Sequence, residues 1–339
     1  MNRLDCQISI VLTVHKNRRN YIDRAISSVL SCNVKNIQFE IIVASDYEDE
    51  YLKSIDQMPG VRVVLCQDPL GAKIISGIKN ANYDIIVFLE DDDIYLPKKL
   101  ERICYVFSEI SDIGYYHNIS IPSFSNFEEL KTNADDMDDI AIFSSREFKR
   151  LNSSNPDYNM SSIAISRTFG NSILEKVTNR SDLLSISPDT FIFLCAVSEG
   201  VKVAIDNIAL TLVEQQDSLS YVSPNRHFED FVSLSVANLH KFTIEYMKFL
   251  DFFPVGIAHE LIYFKLLRTK ITLSILDGKN KRVKFSELMK YLIYNAVFFP
   301  YGDSFKYILY LTILSLLPLS VSTPLYRRRY FNYVKSRFV

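Results

Sequence analysis

Glu90-Asp91-Asp92-Asp93 is a run of four carboxylates that closes the apolar stretch Ile85 to Leu89. Like charges this close repel one another, and a divalent cation turns that repulsion into shared coordination. Ligand sets made only of oxygen suit Mg²⁺ or Mn²⁺ over zinc. Magnesium keeps several waters and takes one or two carboxylates together with substrate phosphates. A metal held here would favour a diphosphate-bearing substrate, and would act as a Lewis acid on the phosphate as it leaves. The plainer reading is a solvated acidic turn ahead of the helix signalled near Pro97, where acids suit a helix N-terminus. Position separates the two readings, and position depends on the elements around the run.

"QISIVLTV" is a β-branched apolar run with the length of a buried strand. "NYIDRAISSVLSC" then places Ile22, Ile26, Val29 and Leu30 at helical spacing. "FEIIVAS" reads as a second buried strand that ends in Ser45-Asp46, and "VRVVLCQ" as a third. "GAKIISGIKNA" reads as a helix and "DIIVFLE" as a fourth strand. Strands alternating with helices in this way predict a mostly parallel, three-layer α/β sheet. Such sheets bind ligands beyond the carboxyl ends of their strands. Asp46 and the four acids both fall at such ends, so the acids lie where an open sheet forms its crevice.

Further along, "NADDMDDI" (Asn133 to Ile140) is acidic without apolar periodicity and reads as a solvated loop. "SSIAISRTF" predicts another strand. Ser187-Pro188 opens a helix, with Ser187 as its cap, Pro188 at its first position and Asp189 just inside, before Gly200 and a final strand. From about His227 the pattern turns to long apolar-aromatic helices. This predicts an α/β domain over residues 1–225 and a helical region over 226–339. Within the tail, 305–339, "YILYLTILSLLPLSVS" is too short to span a bilayer and is interrupted by Pro318. Arg327, Arg328, Arg329, Lys335 and Arg337 follow among Tyr and Phe, and no acid comes after Asp303. Basic residues interleaved with aromatics suit an anionic membrane face. A core helix with a solvated basic tail is the alternative.

The 339 residues are 48% hydrophobic and 23% charged, enough for a sizeable core and unlike a disordered chain. A net charge of −2 argues against bulk nucleic-acid binding. Cys6, Cys32, Cys66, Cys104 and Cys195 are odd in number and never form a CxxC pair, which predicts reduced thiols in a cytoplasmic protein. "MNRLDCQISIVL" has no long apolar segment before its first strand, so no secretion signal is expected. His117, His227, His240 and His259 lie too far apart for a local metal motif. No GxSxG, P-loop or GxGxxG occurs, which weighs against hydrolase, kinase and dehydrogenase readings.

Four blocks, in order over roughly residues 7–205, carry a resemblance. "ISIVLTVHKNRRNYIDRAISSVLSC", "FEIIVASDYED", "GAKIISGIKNANYDIIVFLEDDDIYLPKKLE" and "SPDTFIFLCAVSEGVKV" resemble the strand, nucleotide, acidic and base motifs of the inverting, nucleotide-sugar-dependent glycosyltransferases of family two. The resemblance implies a GT-A fold and metal-dependent transfer, with Mn²⁺ or Mg²⁺, of a sugar from a nucleoside diphosphate to a saccharide or lipid-linked acceptor. Asp46 would hold the base, and Thr13, Val14 and His15 would line the base and ribose pocket. Lys73 would face the base or the diphosphate, Asp91 the ribose, and Asp92 the metal. Asp189 would be the general base that deprotonates the acceptor hydroxyl, in a single inverting displacement. Asp157 and His227 are further candidates, for base and for metal or diphosphate contact.

The chain departs from the family pattern at several points. Ser45 stands where the family has an acid, and Glu90 where it has Asp. Pro188 replaces a usual Glu, Cys195 lies near a usual Arg, Lys16 lengthens the first loop, and Lys73 and Gly77 are one residue further apart. No Q-x-x-R-W segment of processive synthases occurs, so the expected transfer is of single sugars. Two rivals remain. One is a nucleotidyltransferase that activates a sugar phosphate, although "VHKNRRN" lacks the glycines of its usual basic loop. The other is a degenerate scaffold that binds a nucleotide sugar without turnover. The basic tail predicts peripheral attachment to the inner face of the cell membrane.

Overall fold

A computed structural model describes residues 6–32, 37–67, 69–122, 139–144, 147, 159–214, 228–277, 283–298 and 303–336. The chain divides into two compact units. One comprises Met1–Phe148 with Pro156–Glu214, the other Lys149–Asn155 with Gln215–Val339.

In the first unit the apolar runs become the middle of a sheet. β1 (Cys6–Thr13) pairs in parallel with β2 (Ile37–Ser45) on one side and β4 (Ile85–Glu90) on the other, and β3 (Val61–Leu65) extends the parallel set beyond β2. Ile10 lies opposite both Ile41 and Val87, and all three are wholly buried. A strand with neighbours on both edges and helices on both faces has no solvent side, which is why β1 reads as continuous apolar sequence. Ile8, Ile10 and Leu12 share one core with Ile22, Ala25 and Val29 of α1 (Arg19–Leu30), Leu52 and Ile55 of α2 (Glu50–Asp56), and Leu100, Ile103 and Val106 of α4 (Lys99–Glu109). α3 (Leu70–Asn80) and α5 (Arg167–Val177) cover the opposite face. There Gly77 lies so close to Val11 that a Cβ would collide with its side chain, and a Cβ on Gly170 would press on Ile86. These contacts make the three layers.

Beyond β4 the sheet is mixed. The strand order is β3-β2-β1-β4-β8-β6-β9-β5, with β7 (Ile140–Phe143) paired to β9. β8 (Ile163–Ser166) runs antiparallel to both β4 and β6 (Ile113–Pro122), and β6 is parallel to β9 (Lys202–Val213). α6 (Pro188–Glu199) has Pro188 in its first turn and ends on Gly200 at φ 71°, where glycine meets no Cβ penalty. Ser187 occupies the cap position, but its side chain makes no capping bond there. The short β5 (Ile94–Tyr95) follows the acidic run and pairs with the end of β9, Ile94 against Leu212 and Tyr95 against Thr211.

One expectation fails. Cys6, opening β1, and Cys104, inside α4, form a disulfide with Cα atoms 5.9 Å apart. They are 98 residues apart in sequence and meet only because α4 packs beneath β1, so no spacing rule could reveal the pair. Cys32, Cys66 and Cys195 are free thiols.

The second unit is helical: α7 (Phe228–Phe252), α8 (Ile257–Asp277), α9 (Phe285–Phe298), α10 (Asp303–Leu316) and α11 (Leu319–Ser336). α8 is apolar nearly all round because it lies at the centre. Phe264, Leu267, Ile271 and Ile275 pack with Phe231 of α7, Tyr291 of α9, Leu311 of α10 and Tyr326 of α11. No described helix is long and apolar enough to cross a membrane. The acidic segment around Asn133 and the candidates Asp157 and His227 lie outside the described residues.

Candidate functional site

The carboxyl ends of β1, β2 and β4 finish level with one another. Thr13 lies opposite Ala44 on one side and Glu90 on the other. The Val14 amide donates to the Ala44 carbonyl (3.2 Å), which prolongs the pairing by a residue and sets His15 at the rim. Thr13 is buried and its Oγ1 makes no hydrogen bond.

Asp46 follows β2, and Lys73 reaches it from α3. Lys73 is 1% exposed; its Nζ sits 2.6 Å from Asp46 Oδ1 and donates to the Val14 carbonyl at 2.8 Å. One ammonium therefore ties α3 to the ends of two strands. Burial raises the Asp46 carboxyl, but the hydrogen bond and charge of Lys73 outweigh it and hold the group below the ordinary carboxylate range.

The four acids take different environments. The chain turns at the end of β4, with the Asp93 amide donating to the Glu90 carbonyl (3.1 Å). Asp91 points back under β1. It is 1% exposed, and its Oδ2 accepts from the His15 amide (2.7 Å) while its Oδ1 accepts from Arg18 Nη1 (2.9 Å). The His15 ring lies over the same carboxylate, Nδ1 to Oδ2 3.4 Å. Asp92 takes Arg18 Nη2 at 2.8 Å. Its burial pushes the carboxyl up, and the hydrogen bond and charge of Arg18 restrain the rise. Asp93 turns inward, accepting from Asn159 Nδ2 (3.2 Å) and from the Glu214 amide (3.2 Å). Burial and the charge of Asp92 push it to about 7, against hydrogen bonds from Ser161, Asn159 and Glu214. Glu90 is raised well above its usual range by burial, then by Asp93, Asp92, Asp189 and Asp91.

The Glu90 shift also places Asp189. The residue stands in the first turn of α6 and accepts from the Thr190 amide at 2.7 Å, yet its charge reaches Glu90. The structure thus gathers Thr13, Val14, His15, Asp46, Lys73, Asp91 and Asp92 at three adjacent strand ends, with Asp189 within electrostatic reach. Sequence reasoning missed Arg18, Asn159, Ser161 and Glu214. Arg18 lay in plain view in "VHKNRRN", one residue before α1, but charge alone does not say which carboxylate a loop arginine will meet. Asn159 stands at the cap position of a 3₁₀ turn, Met160–Ser162, and Ser161 lies within it; no local signal ties them to the acids.

Residues 9–170 match the family described as Glycosyl transferase family 2. This stretch of the chain is a family 2 glycosyltransferase domain. An uncharacterized glycosyltransferase of Nostoc is 28% identical over 122 residues, 34% of this chain and 37% of that one. One of Rickettsia typhi is 30% identical over 108 residues, 31% and 33% of the two chains. The alignments span about a third of the length of these curated relatives. Among solved structures, the 1–349 segment of Staphylococcus aureus TarS, in complex with UDP-GlcNAc, superposes with a TM-score of 0.51 at 14% identity, covering 97% of this chain and 92% of that one. At that identity the likeness establishes the GT-A fold of the glycosyltransferase domain and the presence of a helical region after it.

Proposed function

We propose that the protein transfers single sugars from a nucleoside diphosphate donor to a saccharide or lipid-linked acceptor, with inversion at the anomeric carbon. The observation that carries this reading is the excess of carboxylate at the strand ends. Glu90, Asp92 and Asp93 are all raised by burial and by the charges of neighbouring acids, and of these three Arg18 pairs with Asp92, its other prong going to Asp91. A site that crowds carboxyls whose charged form is disfavoured is suited to a hard cation, which stabilises that form, and to the phosphates it brings.

Asp92 is the carboxylate proposed to hold Mn²⁺ or Mg²⁺. Of the three aspartates in the turn it is the one that remains partly open, 14% exposed, whereas Asp91 and Asp93 are closed in. Among the described residues no three His, Cys, Asp or Glu side chains form a ready cage. An ion of this class needs none, because one or two carboxylates and the donor phosphates suffice. When bound, such an ion supplies Lewis-acid stabilisation of the departing diphosphate. The other roles belong to the chain itself. Asp46, held ionised by Lys73, accepts from the base. Thr13, Val14 and His15 form the wall for base and ribose, and Thr13 Oγ1 is free to bond a ligand. Asp91 positions that wall through the His15 amide and so shapes the ribose contact. Asp189 takes the proton of the attacking acceptor hydroxyl, for which it must be ionised and within hydrogen-bond reach. TarS binds UDP-GlcNAc, so a UDP-sugar is the first donor to test; a guanosine donor is the second.

Binding and turnover separate this reading from a nucleotidyltransferase or an inactive scaffold. Asp189→Asn is expected to keep UDP or GDP binding with Mn²⁺ in a thermal-shift titration and to lose donor turnover by at least about a hundredfold. Equal turnover in wild type and variant removes Asp189 from the mechanism.

Membrane attachment is the second part of the proposal. Phe285, Met289 and Ile293 lie exposed along one stripe of α9, and Leu309, Ile313 and Leu316 along one stripe of α10. Val321 and Leu325 are exposed on α11, directly before exposed Arg328 and Arg329. Apolar stripes next to arginines, in a segment with no acid after Asp303, suit the anionic inner face of the cell membrane.

A further inference from the structure

Arg18 has no place in the reaction described above, yet it is the side chain that bridges two of the acids. Its guanidinium spans two neighbouring carboxylates, Nη1 to Asp91 Oδ1 at 2.9 Å and Nη2 to Asp92 Oδ2 at 2.8 Å. Its side chain is 12% exposed. The loop that carries it is held in shape. Asn17, just before it, has φ 67°, a left-handed conformation that asparagine tolerates better than most residues. The His15 amide is bound to Asp91, and the Arg18 guanidinium also lies 4.7 Å from the centre of the Tyr21 ring. Arg18 stands at the cap position of α1, where a donor-only guanidinium cannot bond the free helix amides, and its side chain turns to the acids.

A planar fork that donates to two carboxylates at once is a well-matched counter-ion for them. It also lies where a divalent ion on Asp92 would place its own charge. Two cations on one carboxylate oppose each other, and at a few ångströms that opposition is large in a partly buried site.

We infer that Arg18 is the resident counter-ion of the acid turn: it occupies Asp92 until donor and metal arrive together, and then transfers its guanidinium from Asp92 to the donor diphosphate. The inference rests on the proposed role of Asp92. It makes metal binding conditional on nucleotide, because the metal alone must displace a cation, whereas the metal with a diphosphate gives that cation a new anion. Arginine remains charged at every working pH, so the exchange is one of partners and involves no proton. A lysine in its place would keep the charge but lose the two-pronged fit.

Opposite shifts in two titrations test this. The full chain is titrated with Mn²⁺ alone, free Mn²⁺ being read from its electron paramagnetic resonance signal. It is titrated again with UDP or GDP at saturating Mn²⁺. Arg18→Gln is expected to bind Mn²⁺ alone about tenfold or more tighter than wild type. The same variant is expected to bind the diphosphate about tenfold more weakly. Arg18→Lys falls between the two, and adding Asp92→Asn to Arg18→Gln abolishes the gained Mn²⁺ affinity. Far-UV circular dichroism confirms that each variant is folded. If Arg18→Gln leaves Mn²⁺ affinity unchanged while Asp92→Asn abolishes it, the metal site stands and the counter-ion role of Arg18 is overturned. If no variant binds Mn²⁺, both the inference and the metal role of Asp92 fall.

Discussion

Lys73→Met tests whether the strand ends that form the crevice are held by one buried ammonium. Methionine keeps the length and apolar stem of lysine and removes the charge and all three donors. Two partners are then lost: the Val14 carbonyl at 2.8 Å and Asp46 Oδ1 at 2.6 Å. The Val14 carbonyl has no water to turn to beneath α3, so leaving it unpaired costs about 1–3 kcal/mol. Asp46 is 27% exposed and rehydrates, so its share is at the low end of what a partly screened pair contributes, about 1 kcal/mol or less. Burial of an ammonium is relieved in return, and the net loss is about 1–3 kcal/mol, local to β1 and β2. Hydrogen exchange reads it at the amides of Val14 and Cys66, which donate to the Ala44 and Ser45 carbonyls. At neutral pH these amides are expected to exchange about 5–150-fold faster in the variant. The pH dependence has a definite sign. Lys73 holds the Asp46 carboxyl below its unfolded value. Its contribution is therefore present above the unfolded carboxyl range, near 4, and is lost as pH falls through the lower folded value. The ratio of variant to wild-type exchange, in which intrinsic rates cancel, should shrink with acid but remain above one, because the Val14 bond does not titrate. A ratio near one at neutral pH would refute the tether, and a ratio indifferent to pH would remove Asp46 from it.

Two further outcomes follow from other contacts. Arg102 and Asp206 are both wholly buried, joined through Nε to Oδ2 at 2.8 Å and Nη2 to Oδ1 at 3.2 Å, with the Tyr116 hydroxyl donating to the same carboxylate at 2.8 Å. Asp206→Ala strands a buried guanidinium and should cost about 3–5 kcal/mol in urea denaturation, whereas Arg102→Met with Asp206→Leu should recover most of it; equal losses in the single and double variants would contradict this. On the helical unit, Ile313→Glu with Leu316→Glu puts two charges on the exposed stripe of α10, and should lower binding to vesicles of mixed neutral and anionic lipid by tenfold or more. Unchanged vesicle binding would show that this stripe does not meet lipid.

What was legible in the sequence is what depends on composition along a short stretch. β1, β2 and β4 declare themselves because a strand covered on both faces and both edges has room for little but Val, Ile and Leu. The acids are legible for the complementary reason: four charges at the end of such a strand make sense only at a crevice, and the level ends of Thr13, Ala44 and Glu90 put them there. Contacts set by the third dimension were not legible. Cys6 meets Cys104 across 98 residues, and Asp206 meets Arg102 because β9 returns beside β6. The same limit explains the different fates of the four acids. In sequence they are interchangeable neighbours. In the fold Asp91 is spent on the His15 amide and one prong of Arg18, Asp93 on Asn159 and the Glu214 amide, and Asp92, the more exposed, on the other prong of Arg18. A run of like residues becomes a site when its surroundings make its members unlike. Here that is done by a turn that points consecutive side chains in different directions, and by β5, whose pairing with β9 brings Glu214 within reach of Asp93.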